Sequence, residues 1–489
     1  MLERERSNGR AAMVDVVSRV RRGVLRFLER RAAERREALV EQVASLKKSL
    51  ASVDELAQKQ PFTISIVIPT FLKDRSELSG YRFEVLRNEL IELGHLLRSG
   101  VADEIVIIDG STKGTGVIDD SLMRQIISTM NRALSIFHDE VDFIQKYRVT
   151  REKAVFGLYD LVVRIVHQLD PEISRALKVS QVLPQGLPTG KGAALWLGIG
   201  LSSGDVVCFV DSDIRNFQGW QVAALLKPIL ESWRRTENSV LYSKAHYARS
   251  AVNLDSPERG FYKLGGRATR LFVIPLIRVL SKRGVLGGLE KLRYPLSGEF
   301  AGTRSLFESI SFPRGYDAEM AILLQMWKRG LVKRIEQVDL RLFQHFPQSD
   351  KSICQMVRQI ADLVVSELKD QVSFDQKLVD DYLSEATKDI ALAQEMYEKA
   401  EVRVEIEHEV KRDFFKDTEG DRKKVLAYAE ELRKVIVDLG QPKKSAAQRL
   451  PSWESIRRDE KGAKLPSFMR RRTVTSTVEL LSKEGLVSL

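Results

Sequence analysis

The segment Val206-Val207-Cys208-Phe209-Val210-Asp211-Ser212-Asp213, a wholly apolar run ending in two carboxylates, most constrains the fold of this chain. A run this short and this apolar reads as a strand buried on both faces, which calls for a parallel sheet covered by helices. Residues i and i+2 of an extended segment point the same way, so Asp211 and Asp213 are expected side by side at the strand's C-terminal end. Open α/β sheets place ligands at that edge. Two adjacent anions need a positive partner there, and a divalent metal with a phosphate-bearing substrate supplies one. A strand followed by an Asp-capped turn is the plain alternative for this segment taken alone.

The same pattern recurs upstream. Ile64-Ser65-Ile66-Val67-Ile68 is stopped by Pro69-Thr70, and Glu104-Ile105-Val106-Ile107-Ile108 ends in Asp109-Gly110-Ser111-Thr112. A helical pattern from Phe83 to Leu97 separates them, giving the strand–helix–strand rhythm of a parallel α/β sheet. Residues 118–180 read as a helical insertion, with apolar spacing through Leu122, Ile126, Met130 and Leu134 and again from Ala154 to Leu169. Residues 1–60 read as amphipathic helix through Val20, Val24, Phe27 and Leu28, then Leu39, Val43, Leu46 and Leu50. From Ser352 to about Leu439 the chain is helical and charged, and the Ser/Lys/Arg-rich tail beyond Gln441 is expected to be loosely held.

Composition removes several function classes. A 489-residue chain with 43% hydrophobic residues has room for a large core and is not globally disordered. Cys208 and Cys354 cannot build a disulfide framework, which fits a reducing, cytoplasmic setting. The Arg-rich N-terminus lacks the apolar segment of a secretory signal. The longest apolar stretch, Leu271 to Leu280, is about half a membrane span and contains Arg278. Net charge is +11, concentrated in the two ends, with no zinc-finger or RNA-recognition spacing, so nucleic acid is not an expected partner. The basic N-terminal helix could touch an acidic membrane surface, but a solvated helical face is the favoured reading.

Three strand ends therefore converge on one sheet edge: Pro69-Thr70-Phe71, Asp109-Gly110-Ser111 and Asp211-Ser212-Asp213. Pro69 and Phe71 can frame a flat base, and Asp109 can accept hydrogen bonds from its N–H groups. Lys191-Gly192 opens a helix and offers a cation with backbone N–H groups to a phosphate. Each piece alone is weak; their order carries the signal. His345, flanked by Phe343, Phe346 and Pro347, reads by itself as a packed core histidine.

Taken together, these motifs resemble the GT-A glycosyltransferases, and more closely the glucosyl-3-phosphoglycerate synthases of glycosyltransferase family 81. The strongest carriers are Gly190-Lys191-Gly192-Ala193-Ala194-Leu195-Trp196, the Gly204-to-Asp213 segment, Gly265-Gly266-Arg267-Ala268-Thr269, Pro295-Leu296-Ser297-Gly298-Glu299-Phe300, Gly315-Tyr316-Asp317-Ala318-Glu319 and His345. The likeness covers about residues 64–365. It implies a Rossmann-like, mostly parallel α/β sheet flanked by helices. The expected organisation is a helical extension over 1–60, a GT-A domain over 61–350 divided near 215, a helical region over 351–440 and a basic tail over 441–489.

By this resemblance, Pro69, Thr70, Phe71, Asp109 and Gly110 would hold the uridine and Lys191 the nucleotide or its phosphates. Asp211 and Ser212 would sit by the ribose, and Asp213 with His345 would bind Mg²⁺ or Mn²⁺. Gly266, Arg267 and Thr269 would bind the acceptor, and Glu299 would lie by the reacting sugar. The implied activity is retaining transfer of glucose from UDP-glucose to the 2-hydroxyl of 3-phosphoglycerate, in a homodimer. The alternatives are GDP-mannose as donor, plain glycerate as acceptor, or a family 2-type transferase at a membrane surface. The family commonly carries an arginine and an asparagine two residues either side of the metal histidine; here Phe343 and Pro347 occupy those places, with Arg341 or Arg293 as substitute cations.

Overall fold

In the computed structural model, the described residues are 30–50, 62–71, 81–111, 163–235, 239–251, 263–346, 348–390, 418–439 and 449–473. The expectations for 1–29, 118–162, Pro347 and the chain beyond 473 lie outside them. Among the described residues eight strands form one sheet: β1 (Ile64–Thr70), β2 (Glu104–Asp109), β3 (Val163–His167), β4 (Val206–Phe209), β5 (Tyr242–Ala251), β6 (Lys263–Leu264), β7 (Phe300–Thr303) and β8 (Ile335–His345). The order is β3-β2-β1-β4-β7-β5-β6, with β8 pairing β5. β3, β2, β1 and β4 are parallel, and β7 lies antiparallel between β4 and β5. This mostly parallel, helix-flanked sheet is the GT-A-like α/β arrangement expected.

The apolar runs are continuous because their residues feed two cores in alternation. Val67, Val106, Ile108, Val207 and Phe209 face the Lys191–Leu201 helix. Ile66, Ile68, Ile105, Ile107, Val206 and Cys208 face the helices Tyr81–Arg98 and Gly219–Arg234. The Lys191–Leu201 helix is apolar around its whole circumference and buried from Gly192 onward. Such a helix needs cover on every side. β1 approaches closely at Gly198, where a Cβ would lie 2.4 Å from Val67 Cγ1.

The other side is covered by a segment read from sequence as a loose tail. That reading is corrected for 449–473. Trp453 stacks on Trp196 with ring centroids 4.3 Å apart. Trp196 Nε1 donates to Pro451 O and Trp453 Nε1 donates to Trp196 O, both at 2.7 Å. Leu450 bridges to Phe312, and Leu465 and Met469 are buried. Trp453→Ala should cost about 3–5 kcal/mol of stability, read as a lowered denaturation midpoint.

A second correction concerns 163–167. The helical pattern read from Ala154 to Leu169 ends in strand, since Val163–His167 is the buried edge strand β3, in parallel register with Ile105–Asp109. Its β-branched run satisfies either period over so few residues, and the exposed edge of β2 decides the outcome. The helices Asp350–Leu368, 376–390 and Thr418–Asp438 agree with the helical reading of the C-terminal region. Among the described residues no helix is long and apolar enough to cross a membrane.

Candidate active site

Register levels the strand ends. Thr70 pairs with Asp109 and Asp109 with His167, so β1, β2 and β3 finish together. Fully buried Asp109 accepts at Oδ1 from Thr70 Oγ1 (3.0 Å), Ser111 N (3.2 Å) and Ser111 Oγ (2.7 Å). Its Oδ2 is buried without a hydrogen bond, and burial raises its pKa above the usual carboxylate range. Gly110 packs between Phe71 and Gln168, where a Cβ would lie 3.5 Å and 3.1 Å from their side chains. Pro69 is half-buried and Thr70 buried, while Phe71 is 57% exposed, a bare aromatic face at the end of β1.

β4 stops at Phe209, so Asp211, Ser212 and Asp213 lie on a loop rather than on extended strand. Off the strand the i, i+2 rule no longer fixes their directions, and the two carboxylates take different partners. Asp211 turns to Lys191, whose Nζ lies 2.8 Å from its Oδ1, and Lys191 also meets Glu319 Oε1 at 2.7 Å. Asp211 and Glu319 hold the ammonium charged against the cost of burial, keeping its pKa above the ordinary lysine range. Gly298 makes room for this arrangement, since a Cβ there would lie 2.1 Å from Asp211 Oδ2. Gly298→Ala should displace Asp211 and weaken nucleotide affinity by about 10-fold or more, measured by calorimetric titration with UDP.

Asp213 meets His345 at the end of β8, with Oδ1 3.2 Å from Nδ1. Three contacts hold the loop in place: Ile214 N donates to Glu89 Oε1 (2.6 Å), Arg215 N to Gln344 O (2.8 Å) and Asn216 Nδ2 to Leu342 O (2.7 Å). Burial and the nearby Arg249 lower the His345 pKa, while Asp213 opposes the fall. Burial opposes ionisation of Asp213, yet His345, Arg249 and Lys191 hold it well below the usual carboxylate range. A carboxylate and an imidazole suit a hard divalent ion. Adjacent ligands of octahedral Mg²⁺ lie about 3 Å apart, which matches this pair. Among the described residues no cluster of three or more His, Cys, Asp or Glu could hold a metal, so substrate oxygens would complete the shell.

Glu299 precedes β7 and is buried beneath the Asp211 loop, with the Tyr247 hydroxyl nearby but no hydrogen bond of good geometry to either oxygen. Burial and Asp211 push it up to about 8, against the pull of Tyr247, Lys191 and Arg249. Lys244, also buried, donates from Nζ to Ser297 O (3.1 Å), fixing the turn before Glu299. Burial lowers its pKa to about 8, while Glu319 and Glu299 oppose the fall.

The acceptor motif is partly committed elsewhere. Arg267 donates to Gln348 O (2.5 Å) and pairs with Asp350 at the start of the Asp350–Leu368 helix, so its fork is engaged by protein. Gly266 has φ +68° and lies against Tyr294, whose hydroxyl would be 2.6 Å from a Cβ there. Thr269 is buried at the start of a π-helical turn, Thr269–Val273. Phe343 stacks on Tyr247 at 4.4 Å and builds an apolar wall. Arg341 and Arg293 are exposed; the cation beside Asp213 is Arg249 on β5. Sequence reading gave no role to Glu89, Lys244, Arg249 or Glu319, although Glu319 lies within a quoted motif.

No family model matches the chain. It is 30% identical over 244 residues to the glucosyl-3-phosphoglycerate synthase of Petrotoga mobilis, a match spanning 49% of this chain and 70% of that relative. The chain belongs to the glucosyl-3-phosphoglycerate synthase family. The matches to the relatives of that name from Methanococcoides burtonii (33% identity, 35% of this chain) and Mycolicibacterium paratuberculosis (34%, 40% of this chain) span only 42% and 56% of those proteins. Among solved structures, that of the Mycobacterium tuberculosis synthase in complex with Mg²⁺ and UDP aligns with a TM-score of 0.43. The identity is 23%, over 66% of this chain and 83% of that one.

Proposed function

We propose that the chain transfers glucose from UDP-glucose to the 2-hydroxyl of 3-phosphoglycerate with retention of anomeric configuration. The observation that carries this reading is the 3.2 Å Asp213–His345 pair, set beside the Lys191–Asp211–Glu319 cluster at the C-terminal edge of the sheet. Family membership supports the donor and acceptor, since the relatives bear the name glucosyl-3-phosphoglycerate synthase. Asp213 and His345 would hold Mg²⁺ or Mn²⁺. Bound there, the ion would offset charge on the leaving diphosphate.

The protein's own groups do the rest. Phe71, Thr70, Pro69 and Asp109 hold the uracil, while Asp211 and Ser212 order the ribose. Lys191, fixed by two carboxylates, presents its charge to the diphosphate. Glu299 stands by the sugar, where its carboxyl group, protonated below about pH 8, can hydrogen-bond a sugar hydroxyl. The acceptor hydroxyl enters on the face that the diphosphate leaves, and its proton passes to the departing phosphate oxygen.

A second reading, transfer to unphosphorylated glycerate, is favoured by the apolar Phe343 wall and the engaged fork of Arg267. Nucleotide release from UDP-glucose and GDP-mannose, each with 3-phosphoglycerate or glycerate and with Mg²⁺ or Mn²⁺, tests both. Release specific to UDP-glucose with 3-phosphoglycerate is expected; no release with either acceptor would end the main reading and the second together.

A further inference from the structure

We propose that Arg249 is the residue that binds the carboxylate of the acceptor, an inference that rests on the acceptor class proposed above. The cation named by the acceptor motif, Arg267, is tied to Gln348 O and Asp350, at the far side of that motif. Arg249 lies beside the first glycine of that motif. It lies within electrostatic reach of Asp213, His345 and Glu299, the groups that surround the reacting centre. Lys191, the other cation there, is committed to Asp211 and Glu319 on the nucleotide side.

The fold reserves space for this side chain. Arg249 pairs in register with Phe343 on β8, two residues before His345. Gly265 N donates to Arg249 O at 2.8 Å, and a Cβ on Gly265 would lie 2.8 Å from Arg249 Cγ. The first glycine of the motif thus lets the arginine pass alongside. Tyr247 stacks on Phe343 and meets Tyr294 at a tilt, with centroids 4.5 Å apart, and the Tyr294 hydroxyl lies within reach of the Arg249 side chain. An aromatic wall lowers the local dielectric and strengthens a charge-assisted pair.

Chemistry then chooses which anionic end of the acceptor Arg249 takes. The reacting hydroxyl is on the carbon next to the carboxylate, so the carboxylate must lie close to the reacting centre. The phosphate, on the carbon beyond, is left to the backbone of the Gly265–Gly266 turn. A planar guanidinium matches a carboxylate with two parallel hydrogen bonds.

The test compares steady-state kinetics of wild type, Arg249→Gln and Arg249→Lys with 3-phosphoglycerate and with glycerol 3-phosphate, which lacks the carboxylate. Calorimetric titration with UDP and Mn²⁺ accompanies it. The expected result is a KM for 3-phosphoglycerate raised about 10-fold or more in both variants, as loss of a bidentate charged pair implies, with UDP affinity kept within about 2-fold. Wild-type preference for 3-phosphoglycerate over glycerol 3-phosphate should vanish in Arg249→Gln. The lysine variant, which keeps the charge, serves if the glutamine variant does not fold. Unchanged acceptor KM would overturn the inference, as would an equal loss of UDP affinity, which would place Arg249 on the diphosphate. Wild-type protein that does not turn over 3-phosphoglycerate ends the proposed function itself, and this inference with it.

Discussion

Replacing Asp213 by alanine should lower kcat on the order of 10³-fold, because several kcal/mol of charge stabilisation on the leaving diphosphate depend on its carboxylate. The loss should be local. The backbone on either side is held by partners other than Asp213, through Ile214 N to Glu89 and Arg215 N to Gln344 O. Asp213 itself is part-exposed, with 32% of its side chain accessible, so its removal leaves no cavity in either core. The variant should therefore melt near the wild-type temperature while losing turnover at saturating Mn²⁺. Near-normal kcat in Asp213→Ala would remove the metal pair from the account.

Glu299→Gln should have the second largest effect, a fall in kcat on the order of 10²-fold with UDP affinity kept within about 2-fold. The substitution preserves volume and exchanges the carboxyl group for an amide that cannot titrate. Its signature in stability has a definite sign. The folded protein raises Glu299 from an ordinary 4.5 to about 8, so between those values it holds a proton that the unfolded chain releases. Stability from this group is fully present below pH 4.5 and is lost as pH rises toward 8. Glutamine has no such proton. The stability difference between variant and wild type should therefore move in favour of the variant from pH 5 to pH 8, measured by denaturant titration at each pH. A difference that does not change with pH would mean that Glu299 titrates normally.

Much of the parallel half was legible because its residues obey one local rule. Ile64–Thr70, Glu104–Asp109 and Val206–Phe209 are short apolar runs ended by polar residues, and that pattern has few solutions other than a two-sided sheet. Val163–His167 obeys it too, but it follows a stretch with helical spacing, and only the vacant edge of β2 selects the strand. The 449–473 segment looked like tail because its charges outnumber its apolar residues. Two tryptophans, Trp196 and Trp453, decide its place across about half the chain, a pairing invisible to local periodicity.

The site divides along the same line. Motif order named Lys191, Asp211, Asp213, Glu299 and His345, and the fold brings them to one edge of the sheet. What the motif could not convey is direction. The strand ends before the two aspartates, which take different partners, and Arg267 reaches for Asp350. Arg249, Lys244 and Glu89 carry no motif of their own. They became visible only when β5 and the Tyr81–Arg98 helix were placed beside the Asp211–Ile214 loop.

The central claim is that Asp213 and His345 together hold a divalent ion beneath a nucleotide diphosphate. Electron paramagnetic resonance of a Mn²⁺ titration, with and without UDP, tests it on wild type, Asp213→Asn and His345→Gln. The account predicts about one tightly bound Mn²⁺ per chain that tightens with UDP, and its loss in each single variant. Wild-type Mn²⁺ affinity in either variant, or tight binding indifferent to UDP, would contradict it.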